Sequence, residues 1–439
     1  MMRLLAPVLF ALFATATILE NGQPRSNPYP GKVEFLESGL DASEWKSYGP
    51  DAGEISYKGR WDEQHVSWWS APGIKFSFTG QKLALSFGEH TVPNVLVAYR
   101  IGGQDWQFAN VTANASYQFV GPATTGVNLT DTTARKIFEM RVQLAGVSVA
   151  THATLNKVKS FPRMVEIIGD SYDPCLQYGG SFIYIDERSL SSGDYATYEG
   201  LSSWAYLFAA GLGNVEYSIT AYPGICLHDQ NCWGNPRGHS YQYYRTTDTS
   251  PRSYEIYGTN PPKWNFKVHQ PADLVVINIG TNDNNIANNV SSTEYYNDYV
   301  TLVGNLHNIW PKADIVLMVP STILLSSFPL HTNKVQSLWG GFSPSGMTYE
   351  QGPLFVNEIH RVVKHYQNRG SRNFVHYFDT TGILQHNDIA PQWHPTDVGH
   401  IKVAAHFMQW VKMRFGWEME AMGPMVHSGT LYWNDQESY

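Results

Sequence analysis

The sequence predicts two domains: an N-terminal antiparallel β-sandwich of jelly-roll-like form, then a three-layer α/β domain on a parallel sheet. Three observations predict this. The chain has 439 residues, more than one domain usually holds. From about residue 30 to 155 the apolar residues recur with period two. From about residue 163 short apolar strands alternate with helix-period segments, the pattern of a parallel sheet covered on both faces.

The chain opens on Arg3, an apolar run from Leu4 to Phe13, and Ala14-Thr15-Ala16. A short positive start, a short apolar stretch and a small-x-small site read as a secretory signal peptide over residues 1–16, so the mature protein is expected to be secreted and extracellular. No other apolar run is long enough to cross a bilayer. Asn-x-Ser/Thr triplets at Asn110, Asn114, Asn128 and Asn289 fit an exported glycoprotein, although such triplets also arise by chance.

The sandwich is placed at residues 25–157. Ile74, Phe76 and Phe78 alternate with Lys75, Ser77 and Thr79; Leu83, Leu85 and Phe87 resume the pattern after Gly80-Gln81. Val95, Val97 and Tyr99 lead into Gly102-Gly103, a hairpin signal, and Phe138, Met140, Val142 and Leu144 alternate again. The α/β domain is placed at residues 163–420. Its strands are expected at Met164–Ile168, Val215–Thr220, Leu274–Ile279, Ile315–Val319 and Phe374–Phe378. Ser291 with Glu294 predicts a capping box opening a helix toward Trp310. Phe355–Tyr366 reads as a second helix, with Gly370 as its stop. In a last helix Val398, Ile401, Ala405, Met408, Val411 and Phe415 follow three- and four-residue steps up to Gly416.

Composition narrows the function. Hydrophobic residues are 43% and charged residues 15%, which rules out disorder as the bulk state. A net charge of −8 lacks the basic footprint that nucleic acid demands. Fourteen Trp and 26 Tyr supply flat amphipathic rings, which suit sugar faces and also serve as ordinary core. Three cysteines, Cys175, Cys226 and Cys232, imply one bridge and one free thiol in an oxidising compartment. The short spacing favours Cys226–Cys232, with a bridge from Cys175 to either partner left open. No CxxC pair, HExxH motif or zinc-like spacing occurs, and no metal or organic cofactor is expected. Oligomeric state is not legible.

In such sheets ligands bind at the carboxyl ends of strands, and the chemistry-bearing residues fall there. Gly169-Asp170-Ser171 puts a serine in a strand-to-helix turn, where its hydroxyl faces solvent and its N–H points toward a developing oxyanion. Asn282, in Gly280-Thr281-Asn282-Asp283, follows the central strand. Gly224, in Tyr222-Pro223-Gly224-Ile225, offers a backbone N–H that a substrate approaches closely. His394 lies just before the last helix. Singly, each is more often a turn, a cap or a structural histidine. Asp170 reads as structural, accepting backbone hydrogen bonds around the turn, and His400 as packing or capping.

Together, in the order Ser, Gly, Asn, His, these blocks resemble the SGNH (GDSL-type) hydrolase superfamily: Ile168-Gly169-Asp170-Ser171, Gly224, Gly280-Thr281-Asn282-Asp283 and His394-Pro395-Thr396-Asp397-Val398-Gly399-His400. With a jelly-roll domain in front, the chain is similar to carbohydrate esterase family two. That resemblance implies a carbohydrate acetyl esterase with Ser171 as nucleophile and His394 as base. It implies an oxyanion hole made of the Ser171 N–H, the Gly224 N–H and the Asn282 side chain. Acetylated xylan- or glucomannan-type polysaccharide is the expected substrate, with Trp393 and Trp233 as candidate sugar-stacking residues. Most of the superfamily has an Asp three residues before the histidine. Here that position is Pro391. Asp388 and Asp397 are nearby, but the resemblance extends to family-two members whose histidine relies on main-chain carbonyls, so a Ser171–His394 dyad is expected. Two other readings stand beside this one: a GDSL-type lipase or esterase on lipid or small esters, and a secreted carbohydrate-binding protein without activity. No long amphipathic lid pattern supports the first, and intact Ser171, Asn282 and His394 oppose the second.

Overall fold

Alternating apolar residues build the first half as expected. The computed structural model describes residues 33–92, 95–102, 106–122, 124, 136–141, 144–171, 201, 203–319, 355–367, 372–380, 382–384, 388, 395 and 397–420, together with four two-residue strands. Two of those, β1 (Leu19–Glu20) and β2 (Gln23–Pro24), pair with each other. Next come β3 (Glu34–Phe35), β4 (Trp45–Tyr48), β5 (Ser56–Trp61), β6 (Ser67–Phe78), β7 (Leu83–Ser86), β8 (Val95–Ile101), β9 (Gln107–Val111), β10 (Ser116–Val120), β11 (Lys136–Arg141), β12 (Gly146–Ala150) and β13 (Leu155–Asn156). One sheet runs β3-β10-β7-β12-β4, and β5, β6, β8, β9, β11 and β13 belong to the other. Phe76, Phe78, Val97 and Tyr99 meet Leu83, Leu85, Val147 and Val149 in one core, because period-two patterning turns both apolar faces inward. β8 and β9 form the expected antiparallel hairpin, with Gly102 at φ +62°; Gly103 lies outside the described residues.

The second half carries β14 (Arg163–Ser171), α1 (Trp204–Leu212), β15 (Val215–Pro223), α2 (His239–Gln242), α3 (Pro251–Tyr257), β16 (Leu274–Asn278), α4 (Ser292–Ile309), β17 (Asp314–Val319), β18 (Gly341–Phe342), β19 (Tyr349–Glu350), α5 (Val356–Gln367), β20 (Val375–Asp379) and α6 (Asp397–Phe415). The strands β20-β17-β16-β14-β15 run parallel. α4 and α5 pack on one face and α1 and α6 on the other, so the five strands are buried on both sides. The capping box at Ser291 and Glu294 is present in both directions, fixing where α4 starts. The described sheets thus show the two-part architecture read from the sequence. Gly370 lies outside the described residues.

One helix face differs from expectation. Val398 and Ile401 are 55% and 54% exposed, and the buried stripe is Val403, Ala404, Phe407 and Val411. α6 carries apolar residues on two adjacent stripes, so periodicity alone does not choose between them. Packing against Phe208 of α1 and Phe378 of β20 does.

The two halves share one sheet. β6 begins beside β15, with Ser70 opposite Ile219, and ends inside the sandwich beside β11. Between those ends it bends at Trp69, Ala71 and Pro72. Trp69 and Ala71 hold φ of +66° and +48°, a left-handed conformation that costs a non-glycine residue roughly 1–2 kcal/mol. The bend lets one strand serve both layers. Beside it Arg60 of β5 reaches into the α/β layer. Its guanidinium donates to the Tyr243 and Arg245 carbonyls and to Glu166 Oε1 at 3.4 Å, and it lies over the rings of Trp69, Tyr243, Trp264 and Phe266. Glu166 sits in the middle of β14, between Met164 and Ile168 on the face toward α4 and α5. Both groups are fully buried. Burial is the largest influence on each, lowering the Arg60 pKa and raising that of Glu166 against their mutual attraction.

Removing one member of this pair strands the other. Arg60→Met is expected to lower unfolding free energy by about 3–5 kcal/mol, and adding Glu166→Gln to recover part of that loss. Urea denaturation of both variants checks this; a cost below about 1 kcal/mol for Arg60→Met would refute a joining role for the pair.

Candidate active site

The carboxyl ends of β14, β15 and β16 meet at one edge of the sheet. Ser171 is the last residue of β14, and its backbone pairs with Pro223, one residue before Gly224. Gly169 pairs with Asn278, four residues before Asn282. The three sequence blocks are therefore brought together. His394 and Trp393 lie outside the described residues, as do Cys175, Pro391 and Asn128; Ser171 and Asp397 are described by their backbone alone.

Carboxylates and amides fasten these loops to one another. Asp170 Oδ2 accepts the Gly280 N–H at 2.8 Å and the Thr281 N–H at 3.1 Å. These two partners belong to the neighbouring loop, so the Asp of the first block sets the position of the third. Gly280 holds φ +125° with Tyr295 packed where a Cβ would stand, and Tyr295 Oη donates to the Ile279 carbonyl at 2.7 Å. Asn282 is fully buried and its Nδ2 donates to the Ile225 carbonyl at 3.0 Å, leaving one amide N–H. Asp283 accepts the N–H groups of Leu227 and His228 at 2.8 and 2.9 Å. Burial pushes its carboxyl up to about 6, and those hydrogen bonds oppose the rise.

The Gly224 loop is built to stay in place. Gly224 holds φ +75°, and a Cβ there would stand 3.0 Å from Trp233 Cβ and from Asn235 Nδ2. Only glycine meets both conditions. A disulfide joins Cys226 to Cys232, and Asn235 Nδ2 donates to the Pro223 carbonyl at 2.7 Å. Trp233 is half-buried beside Gly224.

Other sequence candidates fall into place individually. Asp388 is buried, and both of its oxygens accept from Lys402 Nζ at 2.8 Å. His400 accepts the Trp204 N–H on Nδ1 at 3.0 Å, so it caps α1 from the first turn of α6. Asn110, Asn114 and Asn289 are exposed.

Sequence reading passed over His239. It is fully buried in α2, its Nε2–H donates to the Gly169 carbonyl at 2.9 Å, and its ring stacks on Trp69 with centroids 5.3 Å apart. Burial pulls its pKa down to about 3, so the ring is neutral. No local pattern around His239 announces this; the contact is made 70 residues away in sequence.

The GDSL-like Lipase/Acylhydrolase family matches residues 188–402. That span covers the Gly224, Asn282 and His394 blocks and begins after Ser171. No curated protein sequence matches the chain. Among solved structures, a family two carbohydrate esterase from Cellvibrio japonicus is similar with a TM-score of 0.60 at 16% identity, over 85% of this chain and 98% of that one. The Clostridium thermocellum family two carbohydrate esterase, solved in complex with cellohexaose, gives 0.58 at 19% identity, over 83% and 99%. An acetyl xylan esterase from Butyrivibrio proteoclasticus gives 0.57 at 14% identity, over 88% and 100%. The shared fold spans both halves of the chain, and with the family match it bears out the resemblance read from the sequence and supports a carboxylic ester hydrolase of the SGNH type.

The neutral His239 ties stability to pH. The unfolded chain takes up a proton at the ordinary value of 6.5 and the folded chain at about 3, so this contribution is complete above pH 6.5 and is lost as pH falls toward 3. Asp283, raised to about 6, acts in the opposite direction. The effect is therefore read as a difference: between pH 6.5 and 4.5, wild type should lose about 1.4 kcal/mol per pH unit relative to His239→Gln. Urea denaturation across that range measures it, and parallel curves for the two proteins would contradict it.

Proposed function

From a GDSL-like acylhydrolase match and the architecture of the family two carbohydrate esterases, we propose that the chain is a secreted serine esterase that removes acetyl groups from polysaccharide. The observation that carries the reading is the convergence of Ser171, Gly224 and Asn282 at one sheet edge, with Asp170 and Asp283 fastening their loops. Carbohydrate as substrate draws on the relatives solved with cellohexaose or named for acetyl xylan. Export draws on the N-terminal apolar run, the disulfide and the exposed Asn110, Asn114 and Asn289.

The chemistry is acyl transfer in two steps. Ser171 Oγ attacks the ester carbonyl while His394 takes its proton. The oxyanion is received by the N–H groups of Ser171 and Gly224 and by the remaining N–H of Asn282. His394 returns the proton to the leaving sugar hydroxyl, and water, deprotonated by His394, hydrolyses the acetyl-enzyme. Each donor is worth about 3 kcal/mol of barrier when it is fixed before charge develops. The bond from Asn282 to Ile225 and the left-handed Gly224 provide that fixing. The dyad reading draws on Pro391, which stands where most of the superfamily has the third carboxylate; Asp388 accepts from Lys402 Nζ.

Release of acetate from acetylated xylan or glucomannan should exceed hydrolysis of long-chain esters. On p-nitrophenyl acetate, Ser171→Ala and His394→Ala should each lower kcat about a thousandfold or more, and Asn282→Ala about a hundredfold. Asp388→Asn should stay within about threefold of wild type, since it removes no member of the dyad. An active Ser171→Ala would remove the nucleophile assignment. Faster turnover of long-chain than acetyl esters would remove the polysaccharide assignment. An Asp388→Asn variant as slow as His394→Ala, with its fold intact, would replace the dyad by a triad.

A further inference from the structure

His239 does nothing in the chemistry just described, yet it touches the backbone that carries the nucleophile. The β14–β16 ladder ends at the Gly169–Asn278 pair, two residues before Ser171. There the Gly169 carbonyl receives the His239 Nε2–H at 2.9 Å. The imidazole is itself fixed from the other half of the molecule. Trp69, on the bend of β6, stacks on it with centroids 5.3 Å apart and planes 14° from parallel. Trp69 has no freedom of its own. Its N–H donates to Asp248 Oδ2 and its Nε1–H to the Thr246 carbonyl, both at 3.1 Å, and it is fully buried at φ +66°. Strain of that kind persists only where the surroundings over-determine it, and it clusters at functional sites.

A simple structural role explains this poorly. An apolar ring would fill the same space without leaving His239 Nδ1 buried and without a hydrogen-bond partner, as it is here. The group that an apolar ring cannot supply is the one donor aimed at Gly169.

We propose that His239, held by the Trp69 stack, is a positioning residue that sets the Gly169–Ser171 backbone, so that the sandwich contributes to catalysis through β6. The inference rests on Ser171 being the nucleophile. It assigns the sandwich a part in placing the serine N–H and Oγ, whether or not that domain meets sugar. An error of about 1 Å at a reacting group is enough to slow chemistry a hundredfold.

The test compares three variants of the full chain on p-nitrophenyl acetate, with kcat, KM, the p-nitrophenol burst rate and Tm measured for each. His239→Phe keeps a ring against Trp69 and loses the donor. His239→Gln loses the ring and keeps an amide N–H at the position of Nε2. Ser171→Ala reports on the underlying reading. The expected result is a kcat and burst rate at least tenfold lower for His239→Phe with KM within twofold, and recovery to within threefold of wild type in His239→Gln. If kcat of His239→Phe stays within twofold of wild type while Ser171→Ala is inactive, the positioning role is wrong and the esterase reading stands. If kcat and Tm fall together in both His239 variants, the residue only stabilises the fold and the proposal fails. If Ser171→Ala retains activity, both readings fall.

Discussion

The placement of the guanidinium of Arg60 is the constraint on which the rest depends. A cation from the sandwich is buried against a carboxylate in β14 of the other layer, and at 3.4 Å their contact is long. Such a pair gains little net stability over apolar side chains of the same volume. Its value lies in what it leaves no alternative to. Glu166 also accepts the Tyr243 hydroxyl at 3.1 Å, and the Arg60 guanidinium donates to the Tyr243 and Arg245 carbonyls. The loop after α2 is thus fixed to β5 and β14 at once. Trp69 and Tyr243, two of the rings around Arg60, each lie against His239. A wrong docking of the two halves would leave two buried charges unpartnered, a penalty of several kcal/mol per ion.

A second theme is the use of carboxylates on backbone N–H groups. Loops at the carboxyl ends of parallel strands leave donors that no ladder satisfies. Asp170 takes two from the Gly280 loop and Asp283 two from the segment after Gly224. Asp248 takes those of Trp69 and Ser250, and Asp62 those of Gln64 and Val66 while also receiving Trp68 Nε1–H and Tyr257 Oη–H. All four are side chains whose reach is short and whose charge strengthens each bond. They convert irregular loops into fixed ones.

What was legible in the sequence was local. β7, β8 and β16 follow from alternation or from an unbroken apolar run, and the start of α4 from one Ser and one Glu three apart. The four blocks Ser171, Gly224, Asn282 and His394 were legible as a set because their order matches a strand-end pattern, and three of them meet at the edge that pattern requires. The buried face of α6 was not legible, since two stripes of that helix are apolar. Arg60 and His239 were not legible either. A charged residue in a strand and a histidine in a polar loop announce nothing until partners 106 and 70 residues away are in place. The segment Trp68 to Gly73 shows no alternation because the neighbours Trp68 and Trp69 are both buried against residues of the α/β half.

The shared strand also sets an order in time. β5 and β6 are made early, but the Arg245 carbonyl that receives Arg60 lies 185 residues further along. At roughly 5–20 residues per second, synthesis leaves Arg60 without that acceptor for about 10–40 s. During that interval a nascent sandwich holds an unsatisfied cation and one open edge along β6. The sandwich is therefore closed at that edge only by strands and loops of the half that is made after it.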